Sequence, residues 1–262
     1  VKSLLDQGLV FTKRIRFIFG TDEETLWRCM NRYNQLEEKA DLGFAPDSSF
    51  PLTYAEKGLL QVKLHGPGWE DRPLQAGRAL NVVPDKATYK GERLEELLPV
   101  IEQSGVKYTE EAGAVTILGL SKHSKDAAEG VNAIVGLAES LSLIQPHPAL
   151  LFIADAVGED ATGPALFGEI KDEPSGALSF NIATLSIDEE RSEIGIDIRI
   201  PVLADKDALV ERLTEVAASY QLQYEEFDYV APLYVPLDSP LVSTLMEVYQ
   251  EETGDQTPAM SS

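Results

Sequence analysis

The rhythm of apolar and polar positions changes several times along the chain, and each change predicts an element. Leu60, Val62 and Leu64 alternate with Gln61 and Lys63, the period-two pattern of a half-buried antiparallel strand. Earlier, the run Ile15-Arg16-Phe17-Ile18-Phe19 predicts a strand over 14–19, ended by Gly20. A helix over 23–36 follows, with Leu26, Met30 and Tyr33 on one face. Gly43 to Pro51 reads as a loop. Strands are predicted at 78–83, 106–109 and 114–120, and helices at 91–103 and 127–142. In the second helix Val131, Ile134, Val135, Ala138 and Leu141 share a face. A connection over 143–176, helical around 147–157, leads to strands at 177–186 and 192–200. A helix over 205–219, carrying Leu209, Val210, Leu213 and Val216, and a strand over 222–230 complete this unit. A last helix spans 238–252, with Asp238 or Ser239 as cap and Gly254 as stop.

Two stretches thus read strand–strand–helix–strand, a ferredoxin-like grammar. The fold class expected is α+β. Composition supports it: 262 residues, 44% hydrophobic, allow a sizeable core. The longest apolar runs fall short of the ~18 residues that a membrane helix needs. Net charge is −22, from 44 acids against 22 bases, and such a field repels phosphate backbones. Neither a nucleic-acid nor a membrane partner is therefore expected. The single cysteine, Cys29, excludes an intramolecular disulfide, fits a reducing cytoplasmic setting and reads as packing.

The candidate chemistry begins at Gly20-Thr21-Asp22-Glu23-Glu24, where a strand gives way to a helix. Open α/β sheets build ligand sites at such points. Glu23 and Glu24 are neighbours whose side chains diverge, so one can bind a metal while the other acts as a base on bound water. Paired glutamates at a helix start also simply meet the helix dipole, and Asp47, in Phe44-Ala45-Pro46-Asp47, can equally cap a turn. Asn81 can satisfy a turn, and His123 can be an exposed strand-end histidine. Arg199, in Ile196-Asp197-Ile198-Arg199, needs a partner, which Asp197 can supply. His65 and His147 read as structural.

These segments resemble the PepV-type dipeptidases, in the aminoacylase–carboxypeptidase G family of dinuclear zinc metallopeptidases. The likeness runs from Gly20–Glu24 and the 43–51 loop through Glu56-Lys57-Gly58, Asn81-Val82-Val83-Pro84-Asp85 and Gly119-Leu120-Ser121-Lys122-His123-Ser124. It continues through Glu129-Gly130-Val131-Asn132-Ala133 and Ile196 to Pro201. The resemblance implies that Glu23 is the general base, and that Glu24 and Asp47 are ligands of the two zincs. It implies that His123 steadies an oxyanion while Arg199 and Asn81 hold the substrate's carboxylate or backbone. It further implies a catalytic part at 1–53, a lid at 54–235 made of two ferredoxin-like halves, and a second catalytic segment from 236 to 262.

The family's upstream His-x-Asp pair and bridging aspartate, and its late histidine ligand, have no counterpart in this sequence. The chain also lacks an initiator methionine. An internal fragment of a monomeric enzyme is expected, with two zincs and a dipeptide substrate in the full-length protein and neither zinc nor activity in these residues alone. An N-acyl amino acid deacylase of the same family and a non-catalytic lid-type binding protein remain as alternatives.

Overall fold

The fold was taken from a computed structural model that describes all residues except 23–26. The backbone divides into two compact units, Val1–Ala45 and Pro46–Ser262.

Among the described residues the first unit holds two helices, α1 (Lys2–Asp6) and α2 (Arg28–Leu36). The strand expected over 14–19 does not form. A strand requires a hydrogen-bonded neighbour, and none of the described residues pairs with this run. The segment is instead tied to the end of α2 by side chains. Arg16 reaches the Tyr33 hydroxyl and Glu38, and Arg14 pairs with Glu38. Phe17 and Phe19 stay exposed.

The second unit contains the core. Its strands are β1 (Thr53–Glu56), β2 (Gly58–Pro67), β3 (Leu74–Ala76), β4 (Lys86–Tyr89), β5 (Tyr108–Glu111) and β6 (Ala114–Leu118). After these come β7 (Lys171–Asp172), β8 (Gly176–Ala177), β9 (Ser179–Ile187), β10 (Arg191–Ile200), β11 (Gln223–Val230), β12 (Leu233–Tyr234) and β13 (Met260–Ser261). The helices are α3 (Leu94–Ser104), α4 (Ala133–Ser142), α5 (Pro148–Leu151), α6 (Pro164–Phe167), α7 (Lys206–Ser219) and α8 (Pro240–Thr253).

The main sheet runs β11-β2-β10-β9-β3 and a smaller one runs β4-β6-β5. In chain order β2, α4, β9, β10, α7 and β11 follow the β–α–β–β–α–β plan, with all neighbours antiparallel. This corrects the picture of two separate ferredoxin-like halves. Strand β2, expected in the first half, lies between β10 and β11 of the second. The small sheet and α3 are an insertion between β2 and α4. The physical reason lies on the face of β2: Leu60, Val62 and Leu64 stand directly opposite Ile198, Ile196 and Ile194, and all six are buried. Each such side chain contributes about 1.5–3 kcal/mol by leaving water.

Helix α4 is covered on nearly every side. It contacts β4 and β6 of the small sheet and β9 of the large one. Asn132 starts it, its side-chain oxygen accepting the amides of Ile134 and Val135 at 2.9 and 3.3 Å. The helix expected from 127 is therefore shorter. A 3₁₀ segment over Ser124–Glu129 precedes it, and Gly130 is extended between the two. The strand expected at 78–83 is replaced by β3 and a single bridge between Val82 and His123. Helix α8 matches its signals: Ser239 caps it at the Val242 amide, and Gly254 ends it at φ +73°. Among the described residues no helix is long and apolar enough to cross a membrane.

Candidate functional site

The alternation that builds the core on one face of β10 builds a polar patch on the other. Gly195, Asp197 and Arg199 point away from the Ile194–Ile200 set. Across the sheet Asp197 stands opposite Gln61 on one side and Asn181 on the other, and Arg199 stands opposite Ser179. Asp197 is fully buried. It accepts Arg199 Nε at 2.8 Å and Nη2 at 3.3 Å, and Gln61 Nε2 at 2.9 Å. The partner foreseen for Arg199 is thus present, two residues away on the same strand. The pairing orients the guanidinium of Arg199, which lines an open cleft of about 240 Å³.

Lys57 and Lys125 line that cleft beside Arg199, with Glu56, Asp126 and Ser175. Lys57 donates to the Ala177 carbonyl at 2.6 Å, and burial pulls its ammonium below the ordinary lysine value while Asp172 and Asp126 oppose the shift. Three cationic heads and the carboxylates of Glu56 and Asp126 thus share one opening, with Arg199 as the planar donor that matches a carboxylate's geometry.

His123 and Asn81 are brought together by a pair of crossing segments. The Val83 amide donates to the Lys122 carbonyl at 2.8 Å, and the Ser124 amide donates to the Asn81 carbonyl at 2.9 Å. Both Asn81 and His123 are exposed. Nδ1 of His123 accepts the Lys125 amide at 3.2 Å. The neutral ring therefore carries its proton on Nε2, free to donate. Partial burial, aided by the charge of Arg199, holds the His123 value below the ordinary one, with Asp197 pulling the other way. The lowered value favours the neutral ring near pH 7. Asn81, His123 and Arg199, far apart in sequence, are thereby gathered at one end of the polar face.

Four residues without a role in the sequence analysis complete this arrangement. Asn181, buried in β9, shares the two hydrogens of Nδ2 among three acceptors, the carbonyls of Leu80 and Val82 at 3.3 and 3.0 Å and Ser124 Oγ at 3.0 Å. Ser124 Oγ donates to the Leu80 carbonyl at 3.0 Å, and Ser179 Oγ donates to the Ser124 carbonyl. Gly195 permits the close approach, since a Cβ there would lie 2.8 Å from Leu80 Cδ2. A polar residue amid apolar neighbours in β9 is the only local signal for Asn181.

Of the carboxylates assigned to metal, only Asp47 is among the described residues. Glu23 and Glu24 lie outside the described residues. Their neighbour Asp22 accepts the amides of Arg28 and Cys29, both at 3.0 Å, and Arg28 Nε at 3.1 Å. The hydrogen bonds from Cys29, with help from Arg28, hold its carboxyl at about 2. Asp47 is exposed in the second unit. Among the described residues no three His, Cys, Asp or Glu side chains converge, so these residues by themselves do not fit a zinc centre, which takes four ligands. His147, buried, accepts the Ala149 amide and donates to the Pro67 carbonyl at 3.1 Å. His65 bonds Glu225 at 2.8 Å. Both fit structural roles.

No protein-family model matches the chain. It is 34% identical over 285 residues to "Putative dipeptidase YtjP" of Bacillus subtilis, an alignment covering 100% of this chain and 61% of that protein. A Staphylococcus haemolyticus protein with the same dipeptidase name is 28% identical over 282 residues, covering 98% of this chain and 60% of the relative. The chain thus spans about three fifths of the length of these relatives. Among solved structures, the aminoacylhistidine dipeptidase of Vibrio alginolyticus aligns with 80% of this chain and 51% of its own, at 11% identity and a TM-score of 0.39, too low to carry an argument. The sequence comparison bears out the resemblance to the dipeptidases: the chain is related along its whole length to bacterial proteins that carry the dipeptidase name.

Proposed function

We propose that this chain is the substrate-gripping part of a larger metal-dependent dipeptidase. The observation that carries the reading is that the joined Asn81 and His123 segments are held against the strand of Arg199, close enough for His123 to feel its charge, while Arg199 lines a cleft of mixed charge with Lys57, Lys125, Glu56 and Asp126. Arg199, its fork oriented by Asp197, meets the C-terminal carboxylate of a short peptide. The Asn81 amide holds the peptide backbone. His123, neutral with Nε2–H free, donates to the oxygen that gains charge when water adds to the scissile carbonyl. A grip on the terminal carboxylate selects short substrates, because a longer chain places that group too far from the reacting bond.

Zinc dependence belongs to the same reading, with Glu23 as base and Glu24 and Asp47 as metal ligands. Zinc would polarise the carbonyl and lower the pKa of the attacking water. Among the described residues too few donors converge for such a centre, and we expect a metal supplied with ligands from outside them to be needed for turnover.

The test is cleavage of an unblocked dipeptide by the full-length protein, with and without chelator, beside its Glu23→Gln variant. The reading expects cleavage that chelator abolishes and that Glu23→Gln reduces by several orders of magnitude. Cleavage of N-acyl amino acids but not of dipeptides would replace the dipeptidase by a deacylase. No hydrolysis of either, and no bound metal, would leave a binding protein.

A further inference from the structure

We infer that Asn181 is a positioning residue for the proposed site: its side-chain amide clasps the Asn81 and His123 segments onto the strand next to Arg199. The inference rests on the functional reading above, but its geometry stands independently. Asn81, His123 and Arg199 come from three separate segments. Arg199 belongs to β10, inside the sheet. Asn81 and His123 belong to two irregular segments joined to each other by one bridge and its backbone hydrogen bonds. Such a crossing pair, with few ladder bonds of its own, drifts unless something ties it to the sheet.

Asn181 supplies the tie. It is the direct cross-strand neighbour of Asp197, the residue that orients Arg199. Its Nδ2 lies within hydrogen-bond distance of the Leu80 and Val82 carbonyls, which flank Asn81, and of the hydroxyl of Ser124, which follows His123. Its Oδ1 accepts Asn132 Nδ2 at 3.2 Å, so the amide is held from behind by the cap of α4. Asn132 Nδ2 also donates to the Ile182 carbonyl at 2.8 Å. The amide is 1% exposed, in a place where an unpaired polar group would be costly, and no apolar residue can satisfy those carbonyls. One buried side chain thus joins the Asn81 and His123 segments to the strand beside Arg199, next to the Ser179 hydroxyl that also meets the Ser124 carbonyl.

The experiment is a double-mutant cycle in the full-length protein, combining Asn181→Ala with His123→Ala, with Asn181→Asp as an isosteric second variant. Three quantities are read: kcat and KM on an unblocked dipeptide, and hydrogen exchange of the Ser124 and Val83 amides. Asn181→Ala is expected to lower kcat ten- to a hundredfold with KM changed less than threefold. In the His123→Ala background the same change should cost less than threefold, because the group it positions is gone. Exchange at Ser124 and Val83 should rise at least tenfold while core amides such as that of Ile196 stay protected. Asn181→Asp keeps the shape but turns a carboxylate on two carbonyls, and should reproduce the loss. An equal loss in both backgrounds, or kcat within twofold of the wild type, would overturn the inference. If the wild-type protein cleaves no dipeptide, the functional reading fails by itself. The exchange data then still decide the clasp: unchanged protection in Asn181→Ala and Asn181→Asp would refute it.

Discussion

The two faces of strand β10 share one backbone and differ in what they hold. On one face Ile194, Ile196, Ile198 and Ile200 are buried against β2, β9 and the helices. On the other, Asp197 and Arg199 form a polar row with Gln61, Asn181 and Ser179. The first face is satisfied by any close-packed apolar surface. The second is satisfied only by specific partners at specific distances. Stability should therefore respond to volume on the first face, and to charge and donor geometry on the second.

The largest effect should come from breaking the ion pair. Asp197→Ala leaves the largely buried Arg199 without its fork partner, and a loss of about 3–5 kcal/mol is expected by chemical denaturation. Asp197→Asn, which keeps the volume, should also destabilise, and that separates charge from packing. On the apolar side, Leu137→Ala in the fully buried α4 should cost about 2–5 kcal/mol, while Leu137→Met should cost less than about 1.5 kcal/mol. Equal sensitivity of Asp197 and Leu137 to volume-conserving changes would dissolve the contrast between the faces.

Much of this was legible in the sequence, for a physical reason. Periodicity reports which face of an element is apolar, so β2, β9, β10, β11, α7 and α8 emerge close to their observed bounds. It does not report which neighbour an apolar face meets. Strand β2 consequently joins β10 and β11 although it precedes the first helix-and-strand stretch in sequence, and the run 14–19 has a strand's pattern although no described residue pairs with it. In the site, Arg199 carried its own signal, a charge amid isoleucines. Asn81 and His123 carried none beyond the family resemblance, because their meeting depends on a bridge between distant segments. Asn181 was invisible for a related reason: alternate polar residues in a strand read as solvent-facing, and here the solvent is replaced by the 124–129 segment.

Smaller effects sharpen the picture. Burial lowers the values of His123 and His147 below the ordinary histidine value of 6.5. As pH falls through that value, the unfolded chain takes up protons that the folded chain refuses. Their contribution is complete above 6.5 and is lost as pH falls through the lower folded-state values. Stability should decline between pH 7 and pH 5, and His147→Gln should flatten the decline, as followed by thermal unfolding across that range. The smallest effect belongs to the cap of α8, away from both faces. Ser239→Ala removes the acceptor of the Val242 amide and should cost about 1 kcal/mol, with peptide cleavage by the full-length protein unaltered.

The central claim is that the polar face of β10 holds a grip for a peptide's terminal carboxylate. The most direct measurement compares kcat/KM of the full-length protein on a dipeptide and on its C-terminal amide, for the wild type and for Arg199→Lys. The account predicts a strong wild-type preference for the free carboxylate, on the order of a hundredfold or more from loss of a charge-assisted fork. In Arg199→Lys, which keeps the charge but not the fork, that preference should shrink at least tenfold. Equal cleavage of acid and amide by the wild type, or a preference that survives Arg199→Lys intact, would contradict it.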